Sequence, residues 1–476
     1  MFLALVLWGG LSVLLSITIA RHLGVTDFGV YSIIVGLQSM FGIAAGFGLG
    51  TAVAKFLAEY RRRDPSVIGR YAKTALVLAM ITSSASIIIY ISLSNIIGVG
   101  LYGEPEIVDL IPFSSLVVVT TAFYSLAFGM IQGCQRIRMM AAVQVAVPIV
   151  NLALIIPLMI LLGTRGVFIS YFVAQGLVFL VGFFSIETRM LHCVKEPIRI
   201  WGDDVAKKII NFALPGMIAG LLVSPVYWIG STQLVLVEGF SAMGLFAAAF
   251  VFFNALSMIP QAVVIPLMPR VSELSVANME QVDLTVSRAL RFVALFTFPI
   301  FFGIALFDRQ IITFLYGNAY SQASAAMYLL VVASYFSATL AMIGSMFTGL
   351  GRMWLALALN LVWALSFIIL TVALLPWMGL VGLGASYALS YVLFAAVVFL
   401  VARGVLKHNI GSAIPSVVVA GVLFLVGFFV REQLSQSSSY LYSAPVLLVA
   451  GILAMLYIMR SDIERARGYV RSILQK

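Results

Sequence analysis

The chain has 476 residues, of which 62% are hydrophobic and only 10% are charged, and its formal net charge is +10. This composition excludes a water-soluble globular protein and predicts an all-α polytopic membrane protein. The segments between apolar runs are too short for a soluble catalytic domain. The basic residues lie in these short segments, which is typical of membrane orientation signals and not of nucleic-acid binding, so we predict no nucleic-acid partner.

The first half of the chain contains six apolar runs, each close to the length of about 20 residues that one membrane crossing needs. They lie near residues 2–20, 29–51, 74–97, 108–131, 139–162 and 166–186. Between the first two runs we predict a tight hairpin turn, in which Gly24 and Gly29 permit the bend and Asp27 caps the second helix. We interpret residues 1–186 as the N-lobe, helices one to six.

The second half begins with a more polar segment, residues 187–208, which we interpret as a cytoplasmic linker. The C-lobe, residues 209–402, follows with runs near 209–237, 242–267, 292–307, 324–348, 354–376 and 380–402. The chain ends with residues 403–459, which contain runs 413–430 and 441–459, and with a basic cytoplasmic tail, residues 460–476. The sequence therefore predicts 14 transmembrane helices, two of them outside the lobes.

The two lobes contain matching residues at a nearly constant offset, between 214 and 216 positions. The matches are Gly24 and Gly239, Gly29 and Gly244, Leu101-Tyr102-Gly103 and Leu315-Tyr316-Gly317, Gly133 and Gly349, Arg136 and Arg352, Gly166 and Gly382, Ser170 and Ser386, and Tyr171 and Tyr387. They indicate an internal repeat. Because each copy has an even number of spans, we predict two parallel six-helix repeats related by a pseudo-twofold axis along the membrane normal.

Lys and Arg residues are distributed unequally between alternate loops. If the N-terminus is cytoplasmic, four of the 28 basic residues face outward, and the remaining 24 face the cytoplasm. The outward four are Arg21, Arg165, Arg309 and Arg431. The positive-inside rule therefore predicts a multi-pass membrane protein with both termini in the cytoplasm. We expect its location to be the plasma (inner) membrane.

The sequence contains no recognisable catalytic pattern. There is no Gly-x-x-x-x-Gly-Lys loop, no His-Glu-x-x-His and no Gly-x-Ser-x-Gly. We therefore predict no catalytic residue, no metal and no cofactor. All 18 acidic residues fall in loops or at helix ends, and the lack of a carboxylate within a span argues against the cation coupling that many antiporters use.

Uncharged polar residues occur within the apolar runs instead. They are Gln38, Gln144, Asn151, Gln175, Gln233, Asn254 and Asn360. Most groups of this kind form hydrogen bonds between helices, so a purely structural role is the first interpretation of each one.

Four cations at helix edges are candidates to line or guard a substrate cavity: Arg21, Lys55, Arg270 and Arg291. Each also has a simpler interpretation. Arg21 can extend toward the outer interface, Lys55 can pair with Glu59 one helical turn later, and Arg270 and Arg291 can act as orientation signals. The sequence leaves both interpretations open.

Five motifs follow one another along essentially the whole chain. They are Ala20-Arg21-x-Leu23-Gly24-x-x-Asp27-Phe28-Gly29-x-Tyr31-Ser32, Leu57-Ala58-Glu59-Tyr60, Pro266-x-Met268-Pro269-Arg270-Val271-Ser272, Leu315-Tyr316-Gly317-x-x-Tyr320 and Gly379-x-x-Gly382-x-Gly384-Ala385. In order and spacing they resemble the Wzx-type polysaccharide or O-antigen flippase family of the multidrug/oligosaccharidyl-lipid/polysaccharide (MOP) exporter superfamily. One departure is the start of the chain, because such proteins usually have a longer, often basic segment before the first helix.

The resemblance implies a flippase that moves an isoprenoid-pyrophosphate-linked oligosaccharide from the cytoplasmic to the outer leaflet by alternating access. Its implied partners are lipid-linked oligosaccharide, membrane lipids and other polysaccharide-assembly proteins. A polar cavity would serve this task because each unsatisfied polar group costs several kcal/mol in hydrocarbon. The alternatives are a peptidoglycan-precursor lipid flippase or a multidrug exporter of the same superfamily, and, from another class, a membrane glycan polymerase or ligase.

Overall fold

The computed structural model describes residues 2–63, 65–190, 204–405, 414–434 and 440–458, and these form helices joined by short turns. The helices are α1 (Phe2–Gly46), α2 (Leu49–Arg63), α3 (Pro65–Ser92), α4 (Pro105–Gly133), α5 (Ile137–Leu162), α6 (Thr164–Met190), α7 (Asp204–Ser257), α8 (Gln261–Ala277), α9 (Met279–Leu306), α10 (Asp308–Tyr316), α11 (Ser324–Gly349), α12 (Met353–Val405), α13 (Ile414–Leu434) and α14 (Tyr440–Ile458). The predicted basic tail and residues 191–203 of the predicted linker lie outside the described residues.

Ten helical segments of the described chain are long and apolar enough to cross a membrane. Three long helices, α1, α7 and α12, each contain one glycine with non-helical backbone angles. These glycines are Gly24, Gly239 and Gly379, and they lie where the sequence predicts one span to end and the next to begin. The all-helical membrane fold is confirmed, and the number of 14 spans stays a prediction.

Backbone angles repeat along the chain with the same offset as the sequence. Gly24 has φ 81° and ψ 177°, and its equivalent Gly239 has φ 81° and ψ −179°. Three further equivalent pairs have positive φ: Gly103 (70°) and Gly317 (99°), Gln135 (56°) and Gly351 (72°), and Gly163 (58°) and Gly379 (51°). Positive φ is uncommon outside glycine, so these matches show that both repeats use the same connections between helices.

The glycine hairpins of the two repeats pack against each other within residues 1–247. A Cβ atom on Gly29 would overlap the backbone carbonyl oxygen of Phe240, and one on Gly244 would overlap that of Val25. Val25 and Phe240 are themselves repeat equivalents. Glycine is therefore needed at both positions because the two backbones are in direct contact.

The same contact also joins a residue to its own equivalent. The hydroxyl oxygens of Thr26 and Ser241 lie 2.8 Å apart. Contacts that exchange equivalent residues in this way are the mark of a twofold interface. The two hairpins thus obey a local twofold axis, as the sequence repeat predicts for the lobes.

By packing, the chain divides into two compact units, residues 1–247 and residues 248–476. In the first unit, α2, α3 and α4 enclose a core that includes Phe56, Tyr71 and Met130. In the second unit, rings of α9, α11 and α13 meet in a cluster of Phe298, Tyr335 and Phe424, with centroids 5.4 to 6.1 Å apart. The lobes predicted from the sequence repeat have other boundaries than these units, and those boundaries stay predictions.

One predicted span begins earlier than its apolar run. Helix α9 starts at Met279 and not near residue 292, and the Asn278 side chain caps it by accepting a hydrogen bond from the Glu280 amide at 2.8 Å. The first turns of α9 are polar, so they do not belong to the apolar run. As a result Arg291 lies within a helix, as does Arg270 in α8.

Candidate functional site

The two candidate cations of the first unit lie on α1 and α2. Arg21 is exposed and precedes the Gly24 bend. Lys55 is exposed too, but its ammonium nitrogen lies 4.2 Å from the ring centroid of Phe212 and 5.0 Å from that of Phe56. A cation over an aromatic face gains about 0.5 to 1 kcal/mol at an exposed site. Lys55 is therefore held beside the start of α7.

The two candidate cations of the second unit lie on α8 and α9. Arg270 Nη1 donates to Glu273 Oε2 at 2.8 Å, and the two side chains are 57% and 70% exposed. Such a surface pair contributes little and leaves the guanidinium accessible. Arg291 is half-buried. A cavity role for Arg21, Lys55, Arg270 and Arg291 stays a prediction.

The two glycines of the predicted hairpin motif have different structural roles. Gly24 supplies the positive φ of the bend, and Gly29 supplies the close backbone approach to α7. Asp27 is exposed at the same turn.

Sequence reasoning missed a buried ion pair in the second unit. Arg431 Nε lies 2.7 Å from Asp308 Oδ2, and the two side chains are 7% and 1% exposed. Arg431 Nη2 also donates to Ser324 Oγ at 3.0 Å. Burial raises the pKa of Asp308 to about 7, while the Arg431 guanidinium opposes this change. Both residues flank apolar runs and look like solvated end charges, and only the fold brings them together.

Three pairs of polar residues lie at repeat-equivalent positions, on three successive predicted spans of each repeat. The equivalent pairs are Thr121 and Ser337, Gln144 and Asn360, and Gln175 and Tyr391. In the first unit, Thr121 Oγ1 and Thr120 Oγ1 donate to Gln175 Oε1 at 3.0 and 3.1 Å. The Gln144 Oε1 atom is buried and accepts no hydrogen bond from the described residues. We call Thr121, Gln144 and Gln175 the amide cluster.

In the second unit the equivalent residues line a pocket of about 210 Å³. Ser337, Asn360 and Tyr391 contribute its polar groups, and Phe394 contributes an aromatic ring. The Ser337 hydroxyl interacts with that of Tyr391, whose ring centroid is 5.4 Å from that of Trp363. We call this the Asn360 pocket. A polar ligand fits its lining, because an amide and hydroxyls can donate and accept hydrogen bonds while the rings offer flat apolar faces.

A larger cavity of about 830 Å³ lies between α11, α12 and α13. Apart from Arg403 and Tyr328, its lining side chains are apolar, and the Tyr328 hydroxyl is occupied by a 2.6 Å hydrogen bond to the Phe424 carbonyl oxygen. This cavity suits hydrocarbon and not a polyhydroxylated head group. Of these two pockets, the Asn360 pocket is the one lined by an amide side chain and two hydroxyl groups.

Residues 18–325 match the model of a family described as polysaccharide biosynthesis protein. The chain belongs to this family. It is also similar to the probable low-salt glycan biosynthesis flippase Agl15 of Haloferax volcanii, with 23% identity over 394 residues, which are 82% of this chain and 79% of the relative.

Two solved structures have the same fold as this member of the polysaccharide biosynthesis protein family. The lipid II flippase MurJ in an inward closed conformation matches with a TM-score of 0.75 and 14% identity over 97% of this chain and 98% of that one. An inward-facing multidrug resistance MATE family transporter of the MOP superfamily matches with a TM-score of 0.67 and 16% identity, over 83% and 98%. The family and MOP-type fold expected from the sequence motifs are thus confirmed.

Proposed function

We propose that this protein is a flippase that moves an isoprenoid-pyrophosphate-linked oligosaccharide from the cytoplasmic to the outer leaflet of the plasma membrane. The observation that carries the proposal is the similarity to a glycan biosynthesis flippase along 82% of the chain. Membership of a polysaccharide biosynthesis family supports the same substrate class. The Asn360 pocket supplies hydrogen-bonding groups that a sugar head group requires.

The membrane potential is sufficient to drive this transport. A pyrophosphate linkage carries roughly two negative charges, and each charge that crosses 100 mV changes the free energy by about 2.3 kcal/mol. Outward movement from a negative cytoplasm is therefore favourable by about 4 to 5 kcal/mol per 100 mV. Cations such as Arg21 and Lys55 would hold the head group while it is out of water.

A peptidoglycan-precursor lipid flippase is the second candidate. The observation that favours it is the fold match to the lipid II flippase MurJ over 97% of the chain. Both candidates move a lipid-linked sugar, so they differ in the glycan and not in the type of transport.

Deletion of the gene in the source organism tests the proposal and separates the two candidates. If the protein is a polysaccharide flippase, the deletion strain loses surface glycan, accumulates a lipid-linked oligosaccharide on the cytoplasmic face and keeps its cell wall. Loss of wall synthesis with accumulation of the wall precursor would support the second candidate. Normal surface glycan without any accumulated lipid-linked intermediate would contradict both.

A further inference from the structure

We infer that the Asn360 pocket is a sugar-binding subsite that holds one ring of the transported glycan. This inference rests on the proposed function, because it assigns the glycan part of the substrate to a place in the second unit. The pocket recognises the sugar and not the pyrophosphate.

The chemistry of the pocket matches a sugar ring on two sides. Asn360 is exposed on α12 and presents one acceptor and two donors, while Ser337 and Tyr391 add hydroxyls. The aromatic rings of Tyr391 and Phe394 offer apolar surfaces to the C–H face of a pyranose. Specific small-ligand sites are mostly apolar with a few placed polar groups, and this pocket has that composition.

The pocket has room for a ligand beside Gly344. Gly344 lines it, and a Cβ atom at that position would meet no atom within 4 Å. Trp363 and Phe253 pack on Tyr391, with ring centroids 5.4 and 5.9 Å away. These rings hold Tyr391 in place from other sides, so its hydroxyl is positioned before a ligand arrives.

The first repeat shows why the pocket lies in the second. At the position of Tyr391 the amide cluster has Gln175, and two threonine hydroxyls already donate to its amide oxygen. Phe394 is replaced there by Val178. The first repeat thus has no aromatic ring at either position, and the Gln175 amide oxygen is already hydrogen-bonded. Gln175 and Val178 therefore give the first repeat no ring that could stack on a sugar at these positions.

The test uses the lipid-linked glycan pool that accumulates in the deletion strain, extracted, labelled and placed in liposomes with the purified protein. Asn360→Leu removes the amide, and Gly344→Leu fills the pocket. We expect each variant to raise the glycolipid fraction needed for half-maximal flipping by about tenfold, the effect of losing one good polar contact. Asn360→Gln keeps the amide and should recover part of the affinity.

The matched control for the filled pocket is Gly404→Leu, because Gly404 is also a glycine of the second unit whose added Cβ would meet no atom within 4 Å, but it does not line the pocket. Thermal denaturation of each variant checks that it is folded. If folded Asn360→Leu and Gly344→Leu flip the glycolipid with wild-type affinity, the subsite is refuted while the proposed function stands. If the wild-type protein does not flip the pool at all, the proposed function itself is refuted.

Discussion

The two repeats share a backbone frame but differ in the chemistry of their interiors. Three amides of the first repeat correspond to aromatic residues of the second: Gln38 to Phe253, Asn151 to Phe367, and Gln175 to Tyr391. Asn151 is fully buried, whereas Phe367 packs on Tyr387, the equivalent of Tyr171, with ring centroids 4.4 Å apart. At these three positions the first repeat has amides and the second repeat has aromatic rings.

The two units also differ in whether an ion pair near their helix ends is exposed to solvent or buried. In the first unit, Arg165 Nη2 lies 3.6 Å from Asp109 Oδ2, and the two side chains are 51% and 66% exposed. In the second unit the Asp308–Arg431 pair is buried, and Arg431 belongs to α13, which lies outside the repeat. An exposed pair contributes little to stability, whereas a buried pair is costly to break. In the second unit the costly pair therefore links α13 to α10.

The largest expected effect comes from breaking the buried pair. Arg431→Met should lower the free energy of unfolding by about 3 to 5 kcal/mol at pH 7.5, because Asp308 loses its guanidinium partner and must take up a proton or remain buried as an unpaired charge. Arg165→Met in the first unit should cost less than about 1 kcal/mol. Denaturation in detergent micelles measures both. The double variant Asp308→Leu with Arg431→Met should regain most of the loss, and equal losses for Arg431→Met and Arg165→Met would contradict the comparison.

The next effect concerns the contact between the two hairpins. Gly29→Ala and Gly244→Ala should each destabilise the protein by about 1 to 3 kcal/mol, since the added methyl group must displace a backbone carbonyl of the other hairpin. Gly10→Ala is the matched control, because it also lies in α1 and its added Cβ would meet no atom within 4 Å. Because the two contacts are equivalent, similar losses are expected. Unchanged thermal stability in both variants would refute the local twofold contact.

Features that depend on local backbone geometry can be predicted from this sequence, whereas features that depend on tertiary packing cannot. The hairpin glycines can be recognised in the sequence because positive φ or close backbone approach requires glycine at these positions, and their spacing shows the repeat. The Asp308–Arg431 pair is not visible, because nothing local distinguishes a buried end charge from a solvated one. The Asn360 pocket can be predicted only in part. The sequence identifies Asn360 as a polar residue in an apolar run, but Tyr391 belongs to no polar pattern. Only the packing of α11 against α12 shows that Tyr391 and Asn360 line one pocket.

A pH titration sharpens the comparison of the two charge pairs. Burial raises the pKa of Asp308 to about 7, with Arg431 and Arg309 opposing, so between about pH 4 and 7 the native state binds more protons than the unfolded state. This group's contribution to stability is thus fully present at low pH and is lost as pH rises through 7. The stability difference between wild type and the double variant Asp308→Leu with Arg431→Met should fall from pH 5 to pH 8. A flat or rising difference would contradict this assignment.

The smallest expected effect is at the candidate cations. Lys55→Gln should lower the rate of glycan export by about two- to fivefold if the ammonium group attracts the pyrophosphate, the scale of a single exposed charge contact. Lys207→Gln removes an exposed cation of the same unit at the start of α7 and is the control. Surface-glycan recovery in the deletion strain, at equal protein abundance, measures both. Equal export by Lys55→Gln and wild type would make Lys55 an orientation signal only.

The most direct test of the proposed function is a flipping measurement in liposomes with an imposed membrane potential. Purified protein and the extracted lipid-linked glycan are reconstituted, and a membrane-impermeant glycosidase reports which leaflet holds the glycan. We expect the protein to move the glycolipid between leaflets, faster when the destination side is positive, and to leave its mass unchanged. A glycan that stays in its original leaflet, or one that becomes longer or is transferred to another acceptor, would contradict the proposal that this protein is a flippase.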